Sequence, residues 1–214
     1  RLKLRVYQEQ ALAAEDAYRT EHPDENRLVL EMATGLGKSI VFAERARRWI
    51  QADRDAWTGM ASLGEQVYPG RVLILVHTDE LAAQAIAKVR LVVGQDWTVG
   101  LVKAEANDVS ADIIVASVQT LAQPGRREQI QDVGYIVVDE CQHSVANTYK
   151  SILEDFGAAT PQDCPQRGQY CACVPPPATP VLGVTATLAR SDGTGFGQVF
   201  HNVVFSRSTS WGIR

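Results

Sequence analysis

Residues 31–39 read Glu-Met-Ala-Thr-Gly-Leu-Gly-Lys-Ser, and the rest of the chain is interpreted around this glycine-punctuated stretch. It follows a short apolar run, Leu28–Leu30, and precedes an amphipathic segment, Ile40–Ile50. A strand, a glycine loop and a helix in this order form a phosphate cradle, because loop and helix N–H groups converge on an anion where the helix dipole is positive. Gly35 and Gly37 permit backbone angles and a close approach that a Cβ would block.

The last two residues of the loop carry its chemistry. Lys38 can reach the β- and γ-phosphates of a nucleotide, and the Ser39 hydroxyl can hold Mg²⁺. The strict pattern places a glycine five residues before Gly37, where this chain has Met32. The alternative is a chance Gly-Lys-Ser turn, which the flanking strand and helix disfavour.

Composition bounds the class of protein. The chain has 214 residues, of which 45% are hydrophobic and 21% charged, which suits one α/β domain with a substantial core. No apolar run approaches the length of a membrane span, and the first residues do not resemble a secretion signal. The net charge of −4 argues against a strong, autonomous DNA-binding domain but leaves room for a local contact surface.

Apolar runs that alternate with helical segments predict the architecture. Continuous apolar runs suit parallel strands covered on both faces, and they lie at 71–77, 112–116, 135–138 and 181–184. Helical spacing covers residues 4–19, 79–92 and 146–156. The prediction is an α/β domain over residues 1–214, with a mostly parallel central sheet and helices on both faces.

Two segments are predicted to be irregular. Residues 51–70 have no clear period and are interpreted as a long surface connection, with a short helix as an option. Residues 157–180 are rich in Pro and Cys and predict a surface loop. Its cysteines have C-x6-C-x-C spacing, so a loop of reduced thiols is favoured over a zinc site at Cys164, Cys171 and Cys173.

Polar residues follow the predicted strands where each one ends. These residues are Thr34–Ser39, His77-Thr78, Asp139-Glu140 and Thr185–Thr187. Ligands bind at the carboxyl ends of strands in such sheets. Two acids after an apolar strand are costly to bury without a cation, which Mg²⁺ would supply. Asp139 is the candidate carboxylate near the metal, and Glu140 is the candidate general base. A solvated strand end that caps the next helix is the alternative.

Taken together, these motifs resemble the first RecA-like domain of superfamily 2 DEAD/DEAH-box helicases and translocases. Within that superfamily, the chain is most similar to the group related to the motor subunits of type I and type III restriction enzymes. The resemblance spans nearly the whole chain and rests on residues 4–8, 32–39, 75–81, 111–121, 137–143 and 183–187.

The resemblance implies a role for each matching position, with ATP and Mg²⁺ as cofactors. The nucleotide would contact Arg5, Gln8, Ala33, Thr34, Gly35, Leu36, Gly37, Lys38 and Ser39, with Gln8 reading the adenine. Catalysis would fall to Lys38, Asp139 and Glu140, and Mg²⁺ would be held by Ser39 and Asp139. Nucleic acid would contact His77, Thr78, Ser117, Gln119 and Thr120. The nucleotide site would be coupled to movement of the nucleic-acid strand by Gln142, Thr185 and Thr187.

The sequence also departs from the family pattern. Cys141 replaces a common Ala, and Gln142 replaces a His that it can match in hydrogen bonding but not in titration. Thr78 stands where many relatives have Arg, and Leu188 replaces a frequent Pro. The family's second RecA-like domain, which carries an arginine finger, is missing from these residues, so weak ATP hydrolysis by the chain alone is expected.

The expected function is therefore the ATP-binding and ATP-hydrolysing half of a helicase or translocase. The expected partners are nucleic acid, with DNA favoured over RNA, and a second RecA-like domain; no membrane is expected. Cytoplasm is the expected location for a bacterial or phage-encoded protein, and an organelle matrix is the alternative. Two other functions stay open: a motor subunit of a restriction endonuclease, and a truncated module that binds nucleotide or nucleic acid without turnover.

Overall fold

The computed structural model describes residues 2–61, 70–144, 147–159, 178–188 and 199–208, without the side chains of 57–61. The strands in these ranges are β1 Arg27–Met32, β2 Arg71–Val76, β3 Val99–Lys103, β4 Ala106–Asn107, β5 Ile113–Ser117, β6 Val133–Asp139, β7 Val181–Thr185 and β8 Asn202–Arg207. The helices are α1 Val6–Glu21, α2 Lys38–Ala61, α3 Asp79–Val93, α4 Val118–Leu121 and α5 Asn147–Asp155, with a 3-10 turn at Cys141–His143. The strands form an eight-stranded sheet in the order β4-β3-β5-β2-β6-β7-β1-β8.

The sheet is mostly parallel, which confirms the predicted fold class. β1 pairs in parallel with both β7 and β8, while β5 does so with both β2 and β3. β4 is antiparallel to β3. No helix in the described ranges is long and apolar enough to cross a membrane.

The chain divides into two compact units. The first comprises Arg1–Arg5 and Ser39–Val137, and the second comprises Val6–Lys38 and Val138–Arg214. In the first unit, all but the first residue of β2 and all of β5 are buried, as expected of continuous apolar runs. A Cβ on Gly70 would lie 2.6 Å from the Cα of Gly134, so the backbones approach too closely there for any other residue.

The second unit is built around β1. Its residues Leu28–Leu30 are fully buried between the two neighbouring strands. The pairing of β1 with β8 shifts register between Val29 and Leu30, and Val204 is left without a partner. The carboxyl ends of β1, β6 and β7 lead into residues 33–37, Glu140 and Ala186, so the polar clusters of this unit all follow strand ends.

Hydrogen bonds tie together the two flanks of the Cys/Pro-rich segment. The Asn26 side-chain amide donates to the carbonyls of Ala158 and Thr179, at 3.2 and 3.0 Å. The Thr179 N–H donates to the Gly157 carbonyl at 3.2 Å. Residues 160–177, with all three cysteines of the segment, lie outside the described residues.

The prediction for residues 51–70 is wrong in its favoured form where the structure tests it. Residues 51–61 are helical, as the option of a helix allowed, but they continue α2 and are not a surface connection. Residues 62–69 lie outside the described residues. The Arg54 guanidinium stacks over Trp97, 4.0 Å from the ring centroid, and also pairs with Asp112 at 3.4 Å. These tertiary contacts stabilise the helix at its C-terminal end. The helical period was not visible in the sequence, because long polar side chains such as Arg54 cover apolar groups there.

Three arginines of α2 make specific side-chain contacts. Arg45 is only 6% exposed, and its Nε donates to the Tyr135 hydroxyl at 3.3 Å. Arg47 and Arg48 both bind the buried carboxylate of Glu44. Arg45 is thus buried against a tyrosine on β6, 90 positions away in sequence.

Candidate nucleotide-binding site

The loop after β1 has the backbone geometry of a phosphate cradle. Gly35 and Gly37 have φ values of +85° and +77°, in the left-handed region that favours glycine. A Cβ on Gly35 would meet nothing within 4 Å, so the backbone angle, not crowding, requires glycine there. The Leu36 N–H donates to the Ala33 carbonyl at 3.2 Å and closes a turn.

Several N–H groups of this loop have no acceptor in the part of the protein that the structure describes. Over the described ranges, the backbone N–H groups of Thr34, Gly35, Gly37 and Lys38 donate no hydrogen bond. The Lys38 group belongs to the first turn of α2, where helix N–H groups have no acceptor within the helix. Unpaired donors at a helix N-terminus suit an anion such as a phosphate.

Two side chains of helix α1 form hydrogen bonds with the loop. The Tyr7 hydroxyl and the Gln8 side-chain amide both donate to the Leu36 carbonyl, at 3.0 and 3.1 Å. Gln8 is only 6% exposed. The structure thus gives Gln8 a bracing contact with the loop, and its reading of adenine stays a prediction. Arg5 is exposed and belongs to the other compact unit.

Side-chain contacts link Lys38 through Glu140 and Gln142 to Thr185. The Lys38 ammonium lies 3.4 Å from Glu140 Oε1, and the Gln142 amide donates to Glu140 Oε2 at 3.0 Å. Thr185 Oγ1 lies 2.6 Å from Gln142 Oε1 and 2.8 Å from the Thr187 carbonyl. One hydroxyl proton can serve only one of these acceptors at a time, so Thr185 has two alternative hydrogen bonds.

Glu140 is held in an unusual backbone conformation. Its φ and ψ are 48° and 53°, in the left-handed region that non-glycine residues rarely occupy. Its N–H donates to the side chain of Asp139 at 3.0 Å. Such strain, which costs about 1–3 kcal/mol, persists when surrounding contacts demand it and is concentrated at functional sites. The predicted catalytic pair is therefore positioned by its own backbone.

Cys141 fills space directly behind this pair. It is fully buried, and burial followed by the charges of Glu140 and Asp139 raises the pKa of its thiol. The thiol therefore stays protonated and acts as a packing group. A Cβ on Gly183 would meet Cys141 Sγ and the Phe200 ring, each at 2.8 Å.

The end of β8 approaches the same loop, a feature that sequence reasoning missed. The Glu31 carboxylate accepts hydrogen bonds from the Leu188 N–H at 3.1 Å and from the Ser206 hydroxyl at 2.5 Å. The Ala33 N–H donates to the Arg207 carbonyl at 3.0 Å. No sequence signal marks these contacts, because they join residues more than 150 positions apart.

The residues predicted to contact nucleic acid lie in the first unit. His77 and Gln119 are exposed, while Thr78 caps α3 by accepting a hydrogen bond from the Leu81 N–H at 3.3 Å. Ser117 and Thr120 are buried, and both hydroxyls donate to Asp79. The two buried hydroxyls therefore hold α3 and α4 together, and phosphate contact stays a prediction for the exposed side chains of His77 and Gln119.

Magnesium fits the donors of the second unit. Mg²⁺ retains several waters and binds through one or two carboxylates together with substrate phosphates, so a dedicated protein cage is not needed. Asp139 would supply the carboxylate, and residues 33–38 would lie against the phosphates that complete the coordination. Where the structure describes the chain, there is no cluster of three or more His, Cys, Asp or Glu that would hold a metal alone. Ser39, the other predicted ligand, accepts from Lys88 Nζ at 3.5 Å in the first unit.

Most of the chain matches a known protein family. Residues 1–190 match the ResIII family, described as "Type III restriction enzyme, res subunit". The chain belongs to this family. It is a helicase-family ATP-binding domain, as the six motifs indicated, and the predicted resemblance is confirmed.

Two curated relatives match almost the whole chain. IRC3 of Saccharomyces cerevisiae is 30% identical over 95% of this chain, and irc3 of Schizosaccharomyces pombe is 28% identical over 96%. Both are named as putative ATP-dependent helicases, the second as mitochondrial. The chain spans 26% and 29% of the lengths of these relatives.

Solved structures share the fold at low sequence identity. UvsW helicase of bacteriophage T4 has a TM-score of 0.62 at 19% identity, covering 96% of this chain and 61% of its own. Type ISP restriction-modification enzyme LlaGI, solved with a DNA substrate mimic, has a TM-score of 0.60 at 17% identity, covering 97% and 20%. Dbp5 of S. cerevisiae, bound to RNA and ADP BeF3, has a TM-score of 0.62 at 17% identity, covering 96% and 46%.

Proposed function

We propose that this chain binds ATP with Mg²⁺ and hydrolyses it to drive a helicase or translocase along nucleic acid. The observation that carries the proposal is the set of N–H groups at Thr34, Gly35, Gly37 and Lys38 that have no acceptor among the described residues, together with the Lys38 ammonium 3.4 Å from Glu140 Oε1. The names of the fungal relatives, both ATP-dependent helicases, support it.

The chain's own residues supply most of the chemistry. The unpaired N–H groups and the Lys38 ammonium would hold the phosphates, so Lys38 would exchange its contact with Glu140 for a phosphate oxygen. Glu140, still positioned by Gln142, would then accept a proton from the water that attacks the γ-phosphorus as the bond to the β-phosphate oxygen breaks. Bound Mg²⁺, with Asp139 and Ser39 as its proposed protein ligands, would neutralise developing charge on the phosphates.

Coupling to nucleic acid is proposed through the Thr185 hydroxyl. Thr185 can bond either Gln142 or the Thr187 carbonyl, so a shift of Glu140 and Gln142 during hydrolysis would change the loop at 185–187. His77 and Gln119 are the exposed candidates for phosphate contact. The related structures include one with a DNA mimic and one with RNA, and we favour DNA as the substrate.

Location and partners follow from the relatives. Both curated relatives are fungal, so they do not support the expected bacterial or phage origin. One is named mitochondrial, which favours the organelle matrix that was the alternative. A second RecA-like domain stays the proposed partner that completes the active site with an arginine finger.

A restriction-enzyme motor is the second candidate function. The description of the matching family and the fold shared with LlaGI favour it. Both candidates use the same ATP site, so the discriminating feature is a nuclease domain in the longer protein that contains this chain. A binding module without turnover is the third, and the Lys38–Glu140 contact argues against it.

The experiment is to compare ATP binding and ATP hydrolysis in the wild type and in Glu140→Gln. We expect the wild type to bind ATP with Mg²⁺, and the variant to bind equally well but to hydrolyse about 10²–10⁴-fold more slowly, the usual contribution of a general base. Gln119→Ala is the control that should hydrolyse ATP normally without nucleic acid. Absence of ATP binding by the wild type, or undiminished hydrolysis by Glu140→Gln, would refute the proposal.

A further inference from the structure

Arg207 stands out near the phosphate loop because its side chain lies over an aromatic ring and has no polar partner among the described residues. Its guanidinium carbon lies 4.6 Å from the centroid of the Tyr7 ring, over one face of that ring. Within the described part of the chain, this guanidinium makes no hydrogen bond or ion pair. An arginine held by stacking, with its N–H donors unused, is a candidate for ligand contact.

The position of Arg207 is set by the register shift in β8. Because the shift leaves Val204 unpaired, the strand advances by one residue and Arg207, not Ser206, lies opposite Met32. Bulges of this kind commonly redirect a side chain next to an active site. The irregular register therefore brings Arg207 to the start of the phosphate loop.

Contacts on either side fix this residue. Its carbonyl accepts from the Ala33 N–H at 3.0 Å, and the preceding Ser206 hydroxyl bonds Glu31 at 2.5 Å. Tyr7, which lies under the guanidinium, is itself anchored to the Leu36 carbonyl at 3.0 Å. The guanidinium group is thus held over Tyr7, beside the same loop whose N–H groups would hold phosphates.

We propose that Arg207 is a base-stacking residue of the nucleotide site and forms a Tyr7–Arg207–purine stack. The inference rests on the proposed ATP binding and deepens it by naming a residue for the base. A guanidinium is planar and weakly hydrated, so it can stack on an aromatic ring with one face and on a purine with the other. A purine offers a larger face than a pyrimidine, so the stack would favour purine nucleotides.

A phosphate contact is the competing role, and inorganic tripolyphosphate separates the two. The experiment measures the affinities of ATP, CTP and tripolyphosphate, each with Mg²⁺, for the wild type, Arg207→Ala and Arg207→Lys. Arg207→Lys is the matched control, because it keeps the charge and loses the plane. Thermal unfolding of each variant checks that the fold is intact.

Stacking predicts a selective loss. We expect Arg207→Ala to bind ATP about tenfold more weakly, CTP less than about threefold more weakly, and tripolyphosphate within about twofold of the wild type. Arg207→Lys should resemble Arg207→Ala. Equal losses for ATP and tripolyphosphate, or recovery of ATP affinity in Arg207→Lys, would overturn the stacking role in favour of a phosphate contact.

Two further outcomes distinguish this inference from the proposed function. If the wild type binds ATP and Arg207→Ala binds it within about twofold, the stacking role alone is wrong. If the wild type binds neither ATP nor tripolyphosphate, the nucleotide site itself is wrong and the stack is wrong with it.

Discussion

Lys38 and Glu140 face each other with 3.4 Å between the ammonium nitrogen and a carboxylate oxygen. The Lys38 side chain is 12% exposed and that of Glu140 is 34% exposed, so the pair is partly screened by water. A pair in this setting contributes little to stability, with a typical value of about 0–1 kcal/mol. Its importance is positional, because it keeps the lysine beside the phosphate loop.

This arrangement predicts that Lys38→Met separates binding from stability. We expect ATP affinity to fall by roughly two orders of magnitude, since one charge-assisted contact with the phosphates is worth about 1.5–3 kcal/mol and its loss leaves the carboxylate facing them. The melting temperature should change by less than about 4 °C. Calorimetric titration and thermal unfolding measure the two quantities. A large drop in melting temperature with unchanged affinity would contradict the assignment.

Thr185 offers a test of the link between Glu140 and the loop that follows β7. In Thr185→Val the shape is kept, but Gln142 Oε1 loses its donor and the Thr187 N–H loses its acceptor. We expect ATP hydrolysis to fall at least about tenfold while ATP affinity stays within about twofold. Gln142 is half-buried and Thr187 is exposed, so water can replace part of the lost bonding and stability should fall by about 1 kcal/mol or less.

Thr185→Ser is the matched control, because it retains the hydroxyl and removes only a methyl group. It should hydrolyse ATP at close to the wild-type rate. If the two variants lose activity equally, the lost activity comes from packing and not from the hydrogen bond. Steady-state hydrolysis should be measured with and without nucleic acid, to show whether Thr185 affects the basal rate of hydrolysis or its stimulation by nucleic acid.

The strands and the glycine loop after β1 were predictable from the sequence, because local apolar runs and glycines determine them. The positions of Lys38 and Glu140 after strand ends were predictable, whereas the contact between them was not predicted. The roles of Arg207 and Arg45 were not predictable, because a register shift places the first and a tyrosine on a distant strand binds the second. Ser117 was predicted at a contact surface, yet its burial depends on Asp79, 38 positions earlier.

Glu44 should make the fold sensitive to acid. Burial alone would raise the pKa of its carboxyl, but hydrogen bonds and charges from Arg47 and Arg48 outweigh it and lower the pKa from 4.5 to about 2. A lowered pKa means that the stabilisation is fully present above pH 4.5 and is lost as the pH falls through about 2.

We therefore expect Glu44→Gln to reduce the free energy of unfolding at neutral pH and to flatten its decline between pH 4.5 and pH 2. Urea denaturation across this range measures both effects. Glu80→Gln, at an exposed position of α3, should leave the pH profile unchanged. A Glu44→Gln profile parallel to that of the wild type would show that this carboxylate does not govern the acid response.

Gly183 and Cys141 pack tightly against each other next to Asp139 and Glu140. In Gly183→Ala the new methyl would lie 2.8 Å from Cys141 Sγ and from two carbons of the Phe200 ring, closer than real Cβ contacts. Overpacking a filled core costs about 1–3 kcal/mol, and each kcal/mol lowers the melting temperature of a chain this size by about 2–4 °C. The variant should therefore melt at a clearly lower temperature.

Cys141→Ala in the same chain removes only the sulfur, so the double variant should recover part of the loss while the Phe200 contact remains. The coupling energy from the four proteins of this cycle should be about 0.5 kcal/mol or more, whereas purely additive effects would mean that the backbone at 183 moves away from Cys141.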